Sequence, residues 1–387
     1  MSFRIAARIV GKIFEKGPAW AVRRMKDEFK CPSFRTTKHV LTAVRKSKRW
    51  VGTLFHKDES HDQDYVTAIY DLNSNAITFD FAYFLVGAEL FSRKNGKNSF
   101  VVWIVQRNND SRKDEIYNSS VDESSVQWRF ENIVLPLINL CPACIGFSVL
   151  PEMADIPEAI KGRLVYPDLY DGKYSPSMDY REIYLFARPG GFVGLRASTQ
   201  GLRYVRSWKE ANNLTGPIVT ITIRRYGYDT NRNSNIDEWV KFAELIKAKG
   251  VMPVFVPDTD ACFERDHRLD GFIVFREPCW NLGLRMALYE ESKLNFFVSS
   301  GPANIAQLNK KIRYICMKII VPESLQATED LLEDRGMRIG QRKYDFAEEY
   351  QVLSWGEDSV ENILDEFHRF PEGLAELLRG VPAESRM

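Results

Sequence analysis

The sequence predicts an α/β protein: two Rossmann-like, doubly wound parallel-sheet domains behind a basic N-terminal helix. Three observations carry that expectation. The chain has 387 residues, too many for one ordinary core and enough for two domains. Short apolar runs alternate with stretches of helical period, twice over, as they do when helices cover a parallel sheet. The charge is split: residues 1–49 hold fourteen Lys+Arg and three Asp+Glu, a net of +11, whereas residues 50–387 carry a net of −10.

The expected divisions follow. Residues 1–49 form a basic helical arm, 50–188 a first α/β domain, 189–215 a linker helix and 216–387 a second α/β domain. In the arm, residues 1–30 read as helix: Arg4, Arg8, Lys12 and Lys16 recur every four residues and fall along one side. Gly17-Pro18 interrupts the pattern.

In the first domain, Tyr65–Leu72 reads as a strand. Thr78 or Asp80 caps a helix running to about Lys94, with Phe81, Phe84, Leu85, Ala88 and Phe91 on one face. Phe100–Gln106 is a continuous apolar run, as in a strand covered on both faces. Trp128–Leu140 reads as a helix in which Pro136 introduces a kink. Ile145–Leu150 is the next strand. Pro189-Gly190-Gly191 reads as a hinge before a helix over Phe192–Glu210.

The second domain is clearer. Strands are expected at Ile218–Arg224, Met252–Pro257, Gly271–Phe275, Asn295–Ser299, Arg313–Ile320 and Val352–Trp355. Helices are expected at Ile236–Lys249, Leu282–Leu294, Ala303–Lys310 and from Ser359. Two such domains joined by a helix imply a cleft, and ligands of open α/β sheets sit beyond the carboxyl ends of the strands.

Composition excludes several classes. A hydrophobic fraction of 44% and an aromatic fraction of 12% belong to a folded globular chain. The balance of 53 basic against 52 acidic residues argues against a nucleic-acid binder. No apolar run approaches the ~18–20 residues of a membrane span, and no apolar core of a secretory signal is present. Six scattered cysteines fit a reducing compartment rather than a disulfide framework. A cytoplasmic protein is expected.

Three stretches carry chemistry: Val219–Asn235 (VTITIRRYGYDTNRNSN), Pro253–Asp258 followed by Trp280–Glu290 (PVFVPD, then WNLGLRMALYE), and Asn295–Leu308 (NFFVSSGPANIAQL). Together they resemble the C-terminal, nucleotide-sugar-binding domain of GT-B-fold glycosyltransferases, and a family of bacterial proteins found near polysaccharide genes. The third is similar to the strand–Ser/Gly–Pro–helix turn of heptosyltransferases and bacterial fucosyltransferases. The resemblance covers about 95 residues; the first domain matches only in its α/β character. It implies a hexosyl or related transfer from a nucleotide-sugar donor to a glycan or lipid-linked acceptor. The nucleotide-sugar is substrate, and neither cofactor nor metal is expected.

The residues have their own readings. Ser299-Ser300-Gly301-Pro302 joins a strand to a helix, whose free N–H groups suit a diphosphate; the other reading is a turn with Ser as N-cap. Arg224 and Arg225 end a strand on the ligand side. Either suits a bidentate clamp on phosphate, and the resemblance points to Arg224. Arg232 and Asn233 face donor or acceptor, while Asn235 with Glu238 has the spacing of a capping box. Trp280 can stack on a base or fill a core, and Asn281 follows it. Arg285 can reach phosphate or pair with an acid. Asp258 can accept from ribose hydroxyls or cap a turn. These four form the expected nucleoside set.

Weaker signals complete the inventory. His56, His61 and Asp62 lie in a polar run that reads as a solvated loop rather than a metal site. With Asp71 they are candidates for the acceptor base by location only. Cys141-Pro-Ala-Cys144 reads as buried thiols. For the basic arm, an anionic membrane surface under residues 1–30 and packing on the acidic body are the two main expectations. The alternative to a transferase is a non-catalytic nucleotide- or glycan-binding protein of the same fold.

Overall fold

In a computed structural model, the described residues are 63–107, 121–150, 156–324 and 326–370, the helix Arg35–Phe55, and scattered positions from 17 to 32. Much of the predicted 1–30 helix therefore lies outside the described residues. The chain divides into two compact units. The first comprises Met1–Ala76, Phe91–Tyr117 and Cys144–Met178, and the second Ile77–Leu90, Asn118–Ala143 and Asp179–Met387.

The first unit holds a four-stranded parallel sheet. Its strands are β1 (Tyr65–Asp71), β2 (Ser99–Val105), β3 (Cys144–Leu150) and β4 (Val165–Tyr166), in the order β3-β2-β1-β4. The apolar run of β2 is not covered evenly. Phe100, Val102 and Ile104 are fully buried while Val101 and Trp103 are only half so, and Arg163 lies over the Trp103 ring at 5.0 Å. Ile69, Val105, Ile156, Ile160 and Tyr170 form a core cluster on this sheet.

The second unit holds a six-stranded parallel sheet in the order β10-β9-β8-β5-β6-β7. The strands are β5 (Ile218–Thr222), β6 (Met252–Val256), β7 (Ile273–Val274), β8 (Leu294–Val298), β9 (Tyr314–Met317) and β10 (Gln351–Leu353). Every pairing is parallel. Helices Ile236–Lys247 and Val360–His368 cover one face, where Trp239, Phe242 and Phe367 pack on Phe296 and Ile315. Helices Thr199–Ala211 and Leu282–Glu291 cover the other, where Val205 and Leu288 pack on Val254 and Phe275. The double winding expected from the alternating pattern is what both sheets show.

One local expectation changes. The helix predicted over 192–210 begins only at Thr199, capped by the Ser198 hydroxyl on the Gly201 N–H at 3.0 Å. Part of the segment before it is held by side-chain bonds. Glu89 accepts from the N–H groups of Val193 (2.6 Å) and Gly194 (3.0 Å). Gly194 has φ +72°, and a Cβ there would stand 2.2 Å from the Leu308 carbonyl oxygen, so only glycine fits. Before Pro136 the helix widens into a π-turn at Phe130–Val134, which accommodates the missing proline N–H. No helix among the described residues is long and apolar enough to cross a membrane.

Candidate anion site at the carboxyl ends of the second sheet

Strand order in the second sheet runs outward from β5 through β6 to β7, then returns to β8 on the other side of β5. The crevice beyond the carboxyl ends of β5 and β8 is therefore a topological switch point, where open α/β sheets bind ligands. Three chain segments meet there: residues 223–235 after β5, Ser299–Gly301 after β8, and Lys318 after β9.

The first segment is a closed loop. The Arg224 N–H donates to Ser234 Oγ, and the Ser234 N–H donates back to the Arg224 carbonyl, both at 2.9 Å. The Arg224 guanidinium is buried and turned into this loop. It donates to the carbonyls of Tyr228 (2.7 Å) and Asp229 (3.1 Å) and to Asn233 Oδ1. Asn233 also bonds both ways with the Tyr226 backbone. Arg224 and Asn233 thus hold the loop in shape, and the guanidinium expected to clamp phosphate spends its donors on carbonyls.

Arg232 is placed differently. Its Nη2 donates to the Ser299 carbonyl at 2.8 Å and reaches Ser299 Oγ at 3.4 Å, so it joins the ends of β5 and β8. Asp229 lies 3.8 Å from its Nη1. The Nε–H is buried and makes no hydrogen bond among the described residues, and the same holds for the Tyr228 hydroxyl. A buried donor without an acceptor is costly, and a bound anion or water is the usual remedy.

A buried guanidinium and a partly buried one so close disfavour each other. Burial, and then the charge of Arg232, pull the Arg224 pKa down to about 10. Arg232 is lowered by burial with Arg335 adding to it, while Asp229 opposes the shift. Lys318 adds a third cation, itself buried. Its ammonium donates to the carbonyls of Asn231 (3.2 Å) and Asn233 (3.1 Å) and lies 3.3 Å from Asp358. Two non-glycine residues here have left-handed backbones, Asp229 (φ 56°) and Lys318 (φ 52°). Such strain concentrates at functional sites.

The Ser299-Ser300-Gly301-Pro302 turn does start a helix, Gly301–Gln307, but one of only seven residues. Ser300 occupies the N-cap position, and its side chain makes no cap bond. Gly301 is required by a close neighbour: a Cβ there would stand 2.4 Å from Cδ2 of the Phe79 ring. Pro302 supplies the first turn. The local positive charge thus comes from side chains more than from this helix.

The expected nucleoside residues separate. Asp258 binds the backbone N–H groups of Arg225 (2.9 Å) and Thr259 (2.7 Å), and burial raises its pKa against those bonds. Asn281 caps helix Leu282–Glu291 through the Leu284 N–H at 2.9 Å. Arg285, a residue of that helix, is fully buried and donates to the Pro278 carbonyl at 2.6 Å. Asn281 and Arg285 therefore have structural partners of their own. Trp280 is exposed and stacks on Phe263, which is 82% exposed, with ring centroids 5.3 Å apart. Beside Asp258 lies a cavity of about 360 Å³, lined by Ile223, Arg225, Ile236, Leu269, Phe272 and Arg276 among others. Arg225 reaches Glu264 at 3.0 Å on its rim.

In the first unit, Asp71 ends β1 and is buried. Its Oδ1 accepts from the Asn73 N–H (2.9 Å) and Nδ2 (2.8 Å), and the Tyr170 hydroxyl lies 3.4 Å from Oδ2. His56, His61 and Asp62 lie outside the described residues. Cys141 is buried and Cys144 partly so, both as free thiols. Lys318 and Asp358 are site residues that motif reading does not single out.

No known protein family matches the chain, and no curated protein is similar to it in sequence. Among solved structures it is similar to a family 9 glycosyl transferase from Veillonella parvula DSM 2008, at 9% identity and a TM-score of 0.46 over 76% of this chain and 87% of that one. It is also similar to the ADP-heptose LPS heptosyltransferase II of E. coli, at 10% identity and a TM-score of 0.47 over 81% and 99%. A weaker likeness is to the fucosyltransferase NodZ from Bradyrhizobium, at 10% identity and a TM-score of 0.25 over 64% and 94%. All three are glycosyltransferases.

Proposed function

We propose that the protein is a glycosyltransferase of the two-domain GT-B kind, whose second unit binds the nucleotide diphosphate of a sugar donor. The observation that carries this reading is Arg232 at the switch point, its Nε–H buried and unpaired and its charge set against that of Arg224. Desolvated cations that repel one another favour a multiply charged anion. The neighbouring cavity of about 360 Å³ is within the size range of small-ligand sites and suits a nucleoside beside the diphosphate.

In the reaction, the bond from the anomeric carbon to the donor phosphate oxygen breaks. A bond from that carbon to an acceptor hydroxyl oxygen forms, and the acceptor proton passes to a base. The nucleoside diphosphate departs with the bonding electron pair. Basic side chains placed where this charge develops stabilise the departure, a role that falls to Arg232 with the Ser299 and Ser300 hydroxyls. The acceptor is a glycan or a lipid-linked glycan. Incubation with a panel of nucleotide-sugars and glycan acceptors should release one nucleoside diphosphate. Binding of a nucleotide without release would establish the non-catalytic alternative.

A further inference from the structure

We propose that the N-terminal helical region docks on the surface of an anionic bilayer. The inference is independent of the transferase reading and rests on the first unit alone.

Helix Arg35–Phe55 has an inner face that holds it to that unit. Lys38 Nζ donates to the Ser177 carbonyl at 3.1 Å, and Thr42 meets the Tyr174 hydroxyl at 3.4 Å. Arg45 pairs with Asp171 and lies over the Tyr174 ring at 4.3 Å. Positions 38, 42 and 45 recur at helical spacing, so they share one side. On the opposite side stand Val40 (61% exposed), Ala43 and Val44, all exposed. Lys46 is exposed on a flank between the two faces.

The helical positions between 17 and 29 repeat the arrangement. Val22, Met25 (59% exposed) and Phe29 (61% exposed) are spaced three and four apart on one stripe, with exposed Lys26 beside it. Of fourteen large apolar side chains exposed among the described residues, five lie in these two helical stretches. The concentration is local rather than scattered, and patches of that kind mark an interaction surface.

The net of +11 over residues 1–49 selects a negatively charged partner. Cations alone would suit any polyanion. An outward apolar stripe with cations on its flanks suits lipid, where acyl chains take the apolar side chains and anionic headgroups take the lysines. A nucleic acid would leave Met25, Phe29 and Val40 in water.

The test is co-sedimentation of the full chain with vesicles. It should pellet with vesicles containing phosphatidylglycerol and stay in solution with phosphatidylcholine alone, and high salt should release it. Met25→Ser/Phe29→Ser should lose binding at least tenfold with an unchanged melting temperature. Lys26→Gln and Lys46→Gln should each weaken it about fivefold. If the first variant fails to fold, Val40→Ser/Val44→Ser reads the same property from the other helix. The proposal fails if the chain ignores anionic vesicles or if these substitutions leave binding unchanged. It also fails if light scattering finds a dimer that they convert to monomer, because a second copy would then cover the face.

Discussion

The Lys318 ammonium lies 3.3 Å from the Asp358 carboxylate, and both side chains are almost fully buried, at 8% and 2% exposure. The pair is the pivot of the site. Asp358 also accepts from the Asn235 N–H (2.7 Å) and from Trp239 Nε1 (2.9 Å), which fixes the start of helix Ile236–Lys247. Lys318 holds the carbonyls of Asn231 and Asn233 from the end of β9. Between them they set the loop on which Arg232 stands.

Removing one member of a buried pair leaves the other charge exposed to a low-dielectric interior. Asp358→Ala should therefore cost roughly 3 kcal/mol in urea unfolding. The nearby Glu357 carboxylate, also 3.3 Å from Lys318, keeps the loss from being larger. A cost below about 0.5 kcal/mol, the scale of a surface pair, would show that the pivot is not structural.

Gly301 is explained by the Phe79 ring rather than by a ligand. Gly301→Ala should destabilise by about 1–3 kcal/mol, the usual scale of overpacking. In a Phe79→Ala background the same substitution should cost much less. Equal costs in both backgrounds, measured by thermal unfolding, would mean that the ring is not the obstacle.

Two buried thiols give a pH signature. Burial pushes Cys279 and Cys316 up from 9.0 to about 12. A raised folded pKa means stability that is whole below the unfolded value and lost as pH climbs through the folded one. Stability should thus fall between about pH 9 and pH 12, and Cys316→Ala should flatten that slope. At pH 9 iodoacetamide should leave both thiols of the folded chain unmodified and label them after denaturation, by mass spectrometry. Rapid labelling of the folded chain would contradict their burial.

Asp71 has the position of a candidate base, but its oxygens are engaged by Asn73 and Tyr170. Asp71→Ala should cost about 1–3 kcal/mol by leaving those donors unpaired. Nucleotide affinity should be unchanged, since the residue belongs to the first unit. A variant that keeps its stability and loses turnover would restore Asp71 as the base.

Much of this architecture is legible in the sequence because parallel strands buried on both faces read as continuous apolar runs between helices of clear period. Phe296–Val298 is such a run, Val219–Thr222 is a buried strand in which threonine alternates with apolar residues, and the residues that follow them, Ser299 and Arg232 among them, fall at the site as a consequence. Side-chain direction is not legible in the same way. Arg224 and Arg225 are adjacent, yet one turns into its own loop and the other toward Glu264. Lys318 and Asp358 read as a lone cation and a pre-helix acid, each ordinary on a surface. Only the order that sets β9 beside β8 brings them to the loop after β5. The two-residue β4 is too short to leave a pattern.

The central claim is that the switch point of the second sheet holds a nucleoside diphosphate. Isothermal titration of the full chain with each nucleoside diphosphate tests it most directly, using Arg232→Gln as the comparison. Saturable binding of at least one of them is expected, weakened about tenfold or more in Arg232→Gln, consistent with losing a charged hydrogen bond. Absence of binding by every nucleoside diphosphate, or equal affinity in a folded Arg232→Gln variant, would contradict it.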